Sequence, residues 1–308
     1  MRKPRALRQG DRVSIVAPAS PFAIDQFEAG VAELRSLGFE PVWDESVFER
    51  NAYLAGPAAV RAAAWQKAWL DPSSAAVFAV RGGYGSVHLL PLLDRAAIEA
   101  SPKIFVGYSD NTSLLNWLTL QCGIVSFHGP MLEGRLARGE AGYDRDSLLR
   151  VMGRPEPAGP ITHAEVCVLR SGEAGGFLVG GTLTQIVASL GTPYAFDPPD
   201  PCVLFIDEVA ERPYRLDRML TQLRLSGILG RASAIVFGEL LRCDEPGGNP
   251  AARDVVRDLL ADFRGPVLFG LPSGHSSAPT LCLPFGVRAR VRTGSEPALV
   301  IEEAAVTD

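Results

Sequence analysis

Short apolar runs alternate with helix-length amphipathic segments along the first half of this chain. Val13–Ala17 is a strand-like run halted by Pro18, and Phe39–Trp43 repeats the pattern. Between them, Phe27, Val31 and Leu34 recur at helical spacing inside Phe22–Leu37, and Gly38 follows as a helix-stopping residue. A second helix is predicted over Ala58–Leu70, closed by Asp71-Pro72. Ala75–Val80 and Lys103–Val106 read as runs covered on both faces, and a helix follows over Asn111–Gln121. This strand-helix rhythm predicts a mostly parallel sheet flanked by helices.

The texture changes after residue 135. Arg135–Pro160 carries charges, Gly139, Gly142, Gly153 and prolines, which reads as a helix and then a linker. Strand character restarts at Val166–Leu169, and Gly175–Gly191 is glycine-rich with an apolar helix at Leu183–Leu190. Val203–Ile206, Ala234–Phe237 and Val267–Leu271 read as strands, with helices at Arg215–Leu225 and Pro250–Phe263. Thr280–Ile301 reads as antiparallel strands turning at Pro284-Phe285-Gly286 and Thr293-Gly294-Ser295. The predicted class is α/β. An N-terminal, mostly parallel sheet domain flanked by helices takes residues 1–155, and a linker takes 156–170. A mixed α/β C-terminal domain with antiparallel strands takes 171–308. Two domains also suit a chain of 308 residues.

Composition narrows the classes. With 47% hydrophobic and 21% charged residues the chain is globular. Its net charge of −5 and scattered basic residues argue against nucleic acid as a partner. No run reaches the roughly 18 apolar residues that a membrane span needs. Cys122, Cys167, Cys202, Cys243 and Cys282 are odd in number and far apart, without a C-x-x-C pair, so a reducing compartment is expected. The basic N-terminus leads into Val13–Ala17, too short for a signal-peptide core, and the expected location is the cytoplasm. No metal-ligand spacing occurs, and no metal or cofactor is expected.

The segment Lys103–Thr112 carries the strongest chemical signal. A buried strand enters Gly107, then Ser109, then a helix, which lifts a serine onto a sharp turn at the positive end of the helix dipole. The backbone N–H of Asp110 would face a developing oxyanion. Asn111 replaces the second glycine of G-x-S-x-G, and asparagine tolerates unusual φ. The competing reading is a plain helix cap, which Ser, Asp, Asn and Thr all favour. A serine needs a base, and the histidines are His88, His128, His163 and His275. His275 sits in the polar loop Pro272–Ser277 directly after an apolar run, the usual place for such a base. An orienting acid at another strand end would be Asp207 or Glu208, and strand alternation lets only one of them face the site. Arg81–Gly85 is a glycine-dense turn. It could cradle an anion, supply a second oxyanion donor from Gly82 or Gly83, or simply be a tight turn. It does not have the spacing of a dinucleotide or P-loop fingerprint.

Taken together these segments resemble the LD-carboxypeptidase family. The resemblance rests on Val13–Ser20, Tyr53–Gly56 before the Arg61 helix, Arg81–Gly85 and Gly107–Thr112. His128–Pro130, Gly180–Leu183, Gly191–Pro193, Glu211–Leu220 and Gly274-His275 extend it over nearly the whole chain. These are serine peptidases called muramoyltetrapeptide carboxypeptidases, and they include the microcin C immunity proteins. The resemblance implies a Ser-Glu-His triad assembled across two domains in a cytoplasmic homodimer. The implied reaction is release of the terminal D-alanine from a murein tetrapeptide in cell-wall recycling. By motif match Ser109 is the nucleophile and His275 the base. The family's acid is a glutamate; an ungapped match puts Asp207 there, and a one-residue shift restores Glu208. The oxyanion donors would be the backbone N–H groups of Asp110 and of Gly82 or Gly83. Substrate contacts would come from Arg81, a candidate for the free carboxylate or else a structural salt-bridge partner, and from Tyr84. Two alternatives remain: a peptidase or amidase of the microcin-immunity type, and a non-catalytic sugar- or nucleotide-binding protein using Arg81–Gly85. Trp43, Trp65, Trp69 and Trp117 read as core or helix-face residues, which disfavours the stacking aromatic that an adenylate substrate requires.

Overall fold

The computed structural model describes all 308 residues. The N-terminal strands are β1 (Arg12–Val16), β2 (Glu40–Trp43), β3 (Ser74–Ala79), β4 (Ile104–Gly107) and β5 (Ser126–His128). Then come β6 (Gly159–Ile161), β7 (Cys167–Arg170), β8 (Glu173–Thr182), β9 (Cys202–Asp207), β10 (Ala232–Phe237) and β11 (Val267–Phe269). The last three are β12 (Leu283–Phe285), β13 (Arg288–Arg292) and β14 (Ala298–Ile301). The helices are α1 (Ile24–Ser36), α2 (Ala58–Leu70), α3 (Arg95–Ala100), α4 (Thr112–Asn116) and α5 (Arg145–Gly153). In the second half they are α6 (Leu183–Ser189), α7 (Pro213–Leu225), α8 (Ile228–Arg231) and α9 (Ala252–Leu259).

Two sheets result. The first has the order β12-β5-β4-β3-β1-β2, and the second β6-β14-β13-β8-β9-β10-β11-β7. In the first sheet every pair is parallel except β12 with β5. In the second, β8 to β11 are parallel neighbours, and the outer pairs are antiparallel. The predicted α/β class and mostly parallel first sheet match this architecture.

Three features differ from the prediction. Residues 156–170, expected as a linker with strand character only from Val166, supply β6 as well as the expected strand β7, at opposite edges of the second sheet. The three-residue β6, with Pro160 inside it, is too short to leave a periodic pattern. β12 belongs to the first sheet although it lies late in the chain. β8 runs through the glycine-rich stretch, whose sequence predicts only a helix. Its glycines answer a close approach: a Cβ at Gly176 would stand 2.7 Å from the Pro201 carbonyl oxygen and 2.8 Å from Cys202 Cα.

Strand alternation divides the second sheet's faces. On β9, Val203 and Phe205 join the core shared with the first sheet, while Cys202, Leu204 and Ile206 pack in a second core with Leu183, Leu216, Leu220 and Val256. The last residue on β9's first-sheet face is therefore Asp207. The ends of the parallel strands of both sheets come together, as open α/β sheets arrange their ligand sites. The loop after β4 meets Asp207 and the loop after β11 through His275, the loop after β10 holds the β11 loop, and the loop after β3 lies against the β4 turn.

Candidate active site

Ile104, Phe105, Val106 and Gly107 are fully covered, which fixes β4 in the middle of its sheet. The chain then turns sharply, and Ser109 takes φ of +61°. A side chain in the left-handed region carries backbone strain, and such strain concentrates where a reactive group must be held out of a regular element. The unusual φ was expected at Asn111, but Asn111 is helical at −64°. Gly107 makes the turn possible, because a Cβ there would lie 2.9 Å from Asn111 Cβ. The cap reading is not realised: no side chain caps this helical turn, and Ser109 Oγ instead lies 3.2 Å from His275 Nε2.

His275 is carried by the loop after β11. Its other ring nitrogen, Nδ1, is 2.6 Å from Asp207 Oδ2, and its backbone N–H donates to both carboxylate oxygens at 3.2 Å. Asp207 is 0 % exposed at the end of β9. Glu208, next along the strand, points away. Its carboxylate accepts from the Thr184 N–H and hydroxyl (2.8 and 2.7 Å) at the start of α6, and from the Val209 N–H (2.9 Å). Burial pushes the Glu208 carboxyl above the usual carboxylate range despite those bonds. Of the two candidate acids, Asp207 meets the imidazole and Glu208 does not. Burial alone would lower the His275 pKa, but the charge and hydrogen bond of Asp207 outweigh it and hold the imidazole above its ordinary value. Gly274, at φ +79°, lets the loop close on the acid: a Cβ there would stand 2.8 Å from both Asp207 Cγ and His128 Cε1.

The glycine-dense turn lies on the other side of Ser109. A Cβ on Gly82 would come within 2.8 Å of Ser109 Cβ and 3.3 Å of the Asp110 nitrogen, so this backbone stands directly against the elbow. Gly83 backs onto Ser20, whose N–H donates to Gly82 O (3.1 Å) and whose hydroxyl accepts from the Tyr84 N–H (3.1 Å). The buried Asp110 carboxylate accepts from the Ser86 N–H (2.8 Å) and from Gln185 Nε2 (3.2 Å), and burial raises its pKa. Arg81 donates to Pro21 O (2.9 Å) and pairs with Glu133 (3.2 Å), so its structural role is realised; close to half of its side chain remains exposed. Tyr84 is exposed, with its hydroxyl 3.4 Å from His88 Nε2.

The other histidines stand outside the Ser109–His275–Asp207 relay. His88 joins Tyr84, and His163 accepts a local bond from the Glu165 N–H. His128 is buried beside Ser273, and burial drives its pKa down to about 4. Sequence reasoning missed several groups that hold the site. Glu239, at the end of β10, accepts from the Ser277 N–H and hydroxyl (2.8 and 2.7 Å). Arg61 donates to Gly56 O, Pro18 O and Gly85 O, binding the loops after β1 and β3 together. Arg61 was visible only as part of a motif, and Glu239 left no signal. No group of three or more His, Cys, Asp or Glu side chains is placed to hold a metal ion.

A hydroxyl on an imidazole whose far nitrogen is held by a buried carboxylate can be deprotonated as it attacks a carbonyl. Comparison with known proteins agrees with that chemistry. Residues 13–129 match the LD-carboxypeptidase N-terminal domain, and residues 175–291 the LD-carboxypeptidase C-terminal domain. A Bacillus subtilis protein named "Probable murein peptide carboxypeptidase" is 33% identical over 319 residues, covering 99% of this chain and 96% of its own length. The structure of muramoyltetrapeptide carboxypeptidase from Oxalobacter formigenes aligns with a TM-score of 0.83 at 29% identity, over 96% of this chain and 100% of that one. The microcin C7 self-immunity protein MccF, known from Escherichia coli, aligns with a TM-score of 0.90 at 24% identity over 99% of each chain, a likeness of fold. The chain belongs to the LD-carboxypeptidase family and is a hydrolase of the peptidase class.

Proposed function

We propose that this protein is a serine-type LD-carboxypeptidase that releases the terminal D-alanine from murein tetrapeptides during cell-wall recycling. The observation that carries the reading is the relay Ser109 Oγ–His275 Nε2 (3.2 Å) and His275 Nδ1–Asp207 Oδ2 (2.6 Å). Ser109 attacks the carbonyl before the terminal residue while His275 takes its proton. The oxyanion settles on the Asp110 N–H and a backbone N–H of Gly82 or Gly83, in the turn whose Gly82 lies against the elbow. His275 then protonates the departing amine, and D-alanine leaves. Water, deprotonated by the same imidazole, hydrolyses the acyl-serine. Asp207 keeps the ring in the tautomer with Nδ1–H and steadies its charged form.

Arg81 offers a guanidinium edge to the substrate's free carboxylate and Tyr84 a second contact; the exposure of both side chains supports this. In this reading the cleft lies between domains of residues 1–155 and 171–308, and the protein works in the cytoplasm as a homodimer. Trp65, Trp69 and Trp117 are buried and Trp43 is half-buried, which favours a murein peptide over a ligand that needs an indole to stack on.

The test is mass spectrometry after incubation with murein tri-, tetra- and pentapeptides. Loss of one alanine from the tetrapeptide alone is expected, and Ser109→Ala should lower kcat by about a thousandfold or more. Activity that survives Ser109→Ala, or no alanine released, overturns the reading.

A further inference from the structure

Arg135 is only 6 % exposed, a depth at which arginine is ordinarily paired with a carboxylate. Its partners here are uncharged oxygens. Nη2 donates to Gly274 O (2.6 Å) and Ser276 O (3.1 Å), Nη1 to Gly142 O (3.3 Å) and Nε to the Tyr108 hydroxyl (3.4 Å). Gly274 and Ser276 are the two residues flanking His275, so one guanidinium nitrogen grips the backbone on both sides of the histidine. Tyr108 precedes Ser109, and its ring stands edge-on to the His275 ring at 5.1 Å. A single planar fork thus spans the serine's turn and the histidine's loop.

The cost of this arrangement makes it informative. Burying a guanidinium without a counter-charge is unfavourable, and a cation here opposes the imidazolium that His275 must become. A leucine or methionine would fill the space without that penalty, so the hydrogen bonds are the gain. Nothing else in the site bonds the carbonyls of residues 274 and 276 together. Asp207 holds the His275 N–H and ring, and Glu239 holds Ser277 beyond them. We propose that Arg135 is a positioning residue for the hydrolysis, setting His275 against Ser109 through the two carbonyls that flank the histidine. The inference rests on the roles assigned above to Ser109 and His275.

Lysine cannot replace the fork, because one ammonium at the end of a flexible stem does not reach Gly274 O, Ser276 O, Gly142 O and the Tyr108 hydroxyl together. The experiment compares Arg135→Lys and Arg135→Met with the parent chain. It measures kcat and KM for tetrapeptide cleavage and the downfield proton resonance of the Asp207–His275 hydrogen bond. Both variants are expected to lose about a hundredfold in kcat, with KM within about threefold, as a misplaced base should. The resonance is expected to shift or broaden. The titratable groups around His275 are Asp207 at the end of β9, Glu208 just beyond it with its carboxylate turned to Thr184, the neutral His128 on β5 and Arg135 itself, with the Tyr108 phenol beside them. Of these only Arg135 is altered, and the lysine variant keeps its charge. Should Arg135→Met not fold, Arg135→Lys decides by the same two readouts. Unchanged kcat with an unchanged resonance, or a loss borne by KM alone, overturns the proposal. Ser109→Ala run in parallel separates this outcome from failure of the underlying assignment: its activity tests the nucleophile without touching the His275 loop.

Discussion

Ser109→Gly should silence the protein and yet leave it more stable than Ser109→Ala. Ser109 sits at φ +61°, where any residue with a Cβ is strained by roughly 1–2 kcal/mol. Glycine removes that strain but loosens the unfolded chain, which offsets about 0.5–1 kcal/mol. Both variants lose the hydrogen bond to His275, so this term cancels between them. The remainder favours glycine by about 0.5–1 kcal/mol, or about 1–2 °C in melting temperature for a chain of this size. Calorimetry of both variants at one scan rate, alongside D-alanine release, tests the argument. Two inactive proteins with the glycine form melting higher are expected. A glycine form melting below the alanine form would show that the turn is not strained and that its φ has nothing to do with presenting the hydroxyl.

Four further outcomes follow from the same geometry. Asp207→Asn should cut kcat by about 10⁴-fold and move the acid limb of kcat/KM to lower pH, because Asp207 is what holds the His275 pKa above about 6.5. Glu208→Gln should move that limb in the same direction but less, because Glu208 acts on His275 through charge alone, and should show its main effect in stability; a Glu208 variant with the larger kinetic loss would reverse the assignment. Gly274→Ala should lose more than tenfold in kcat and about 2–3 kcal/mol in stability, from its left-handed φ and the contact with Asp207 and His128; an alanine variant of parental activity would contradict the close approach. His128, neutral in the fold with a pKa of about 4, should make stability fall as pH drops from 7 to 5, because the unfolded chain takes up the proton first. The loss is about 2 kcal/mol at pH 5. His275 pulls the other way, its raised pKa adding stability below about pH 6.5 that is gone once pH exceeds the folded value. A His128→Gln chain should therefore lose stability less steeply on acidification, and an unchanged slope in denaturant titrations would refute the assignment.

Much of this was legible in the sequence. The first sheet could be read because its strands are continuous apolar runs bounded by Pro18, Gly38 and Asp71-Pro72. Ser109 and His275 could be found because each follows such a run in a polar turn. Asp207 and Glu208 could not be told apart without knowing which face of β9 meets the first sheet, a fact that lives in tertiary packing. β8 escaped because its glycines serve contact with β9 and so erase the side-chain alternation by which strands are recognised. Glu239, Arg135 and, through Pro18 O and Gly85 O, Arg61 act on backbone atoms far away in sequence, and such bonds leave no spacing to read.

The late strand β12 carries a consequence for how the chain can be divided. Leu283, Pro284 and Phe285 pair with His128, Phe127 and Ser126, a few residues after the histidine loop, so that loop is stitched into both sheets. A fragment ending near residue 155 would leave the outer backbone of β5 bare, an open template for any passing strand. Two separately made halves could regain the site only by lending β12 across, like a donated strand. Their reassembly would then report on that lending before any bond in a substrate was touched.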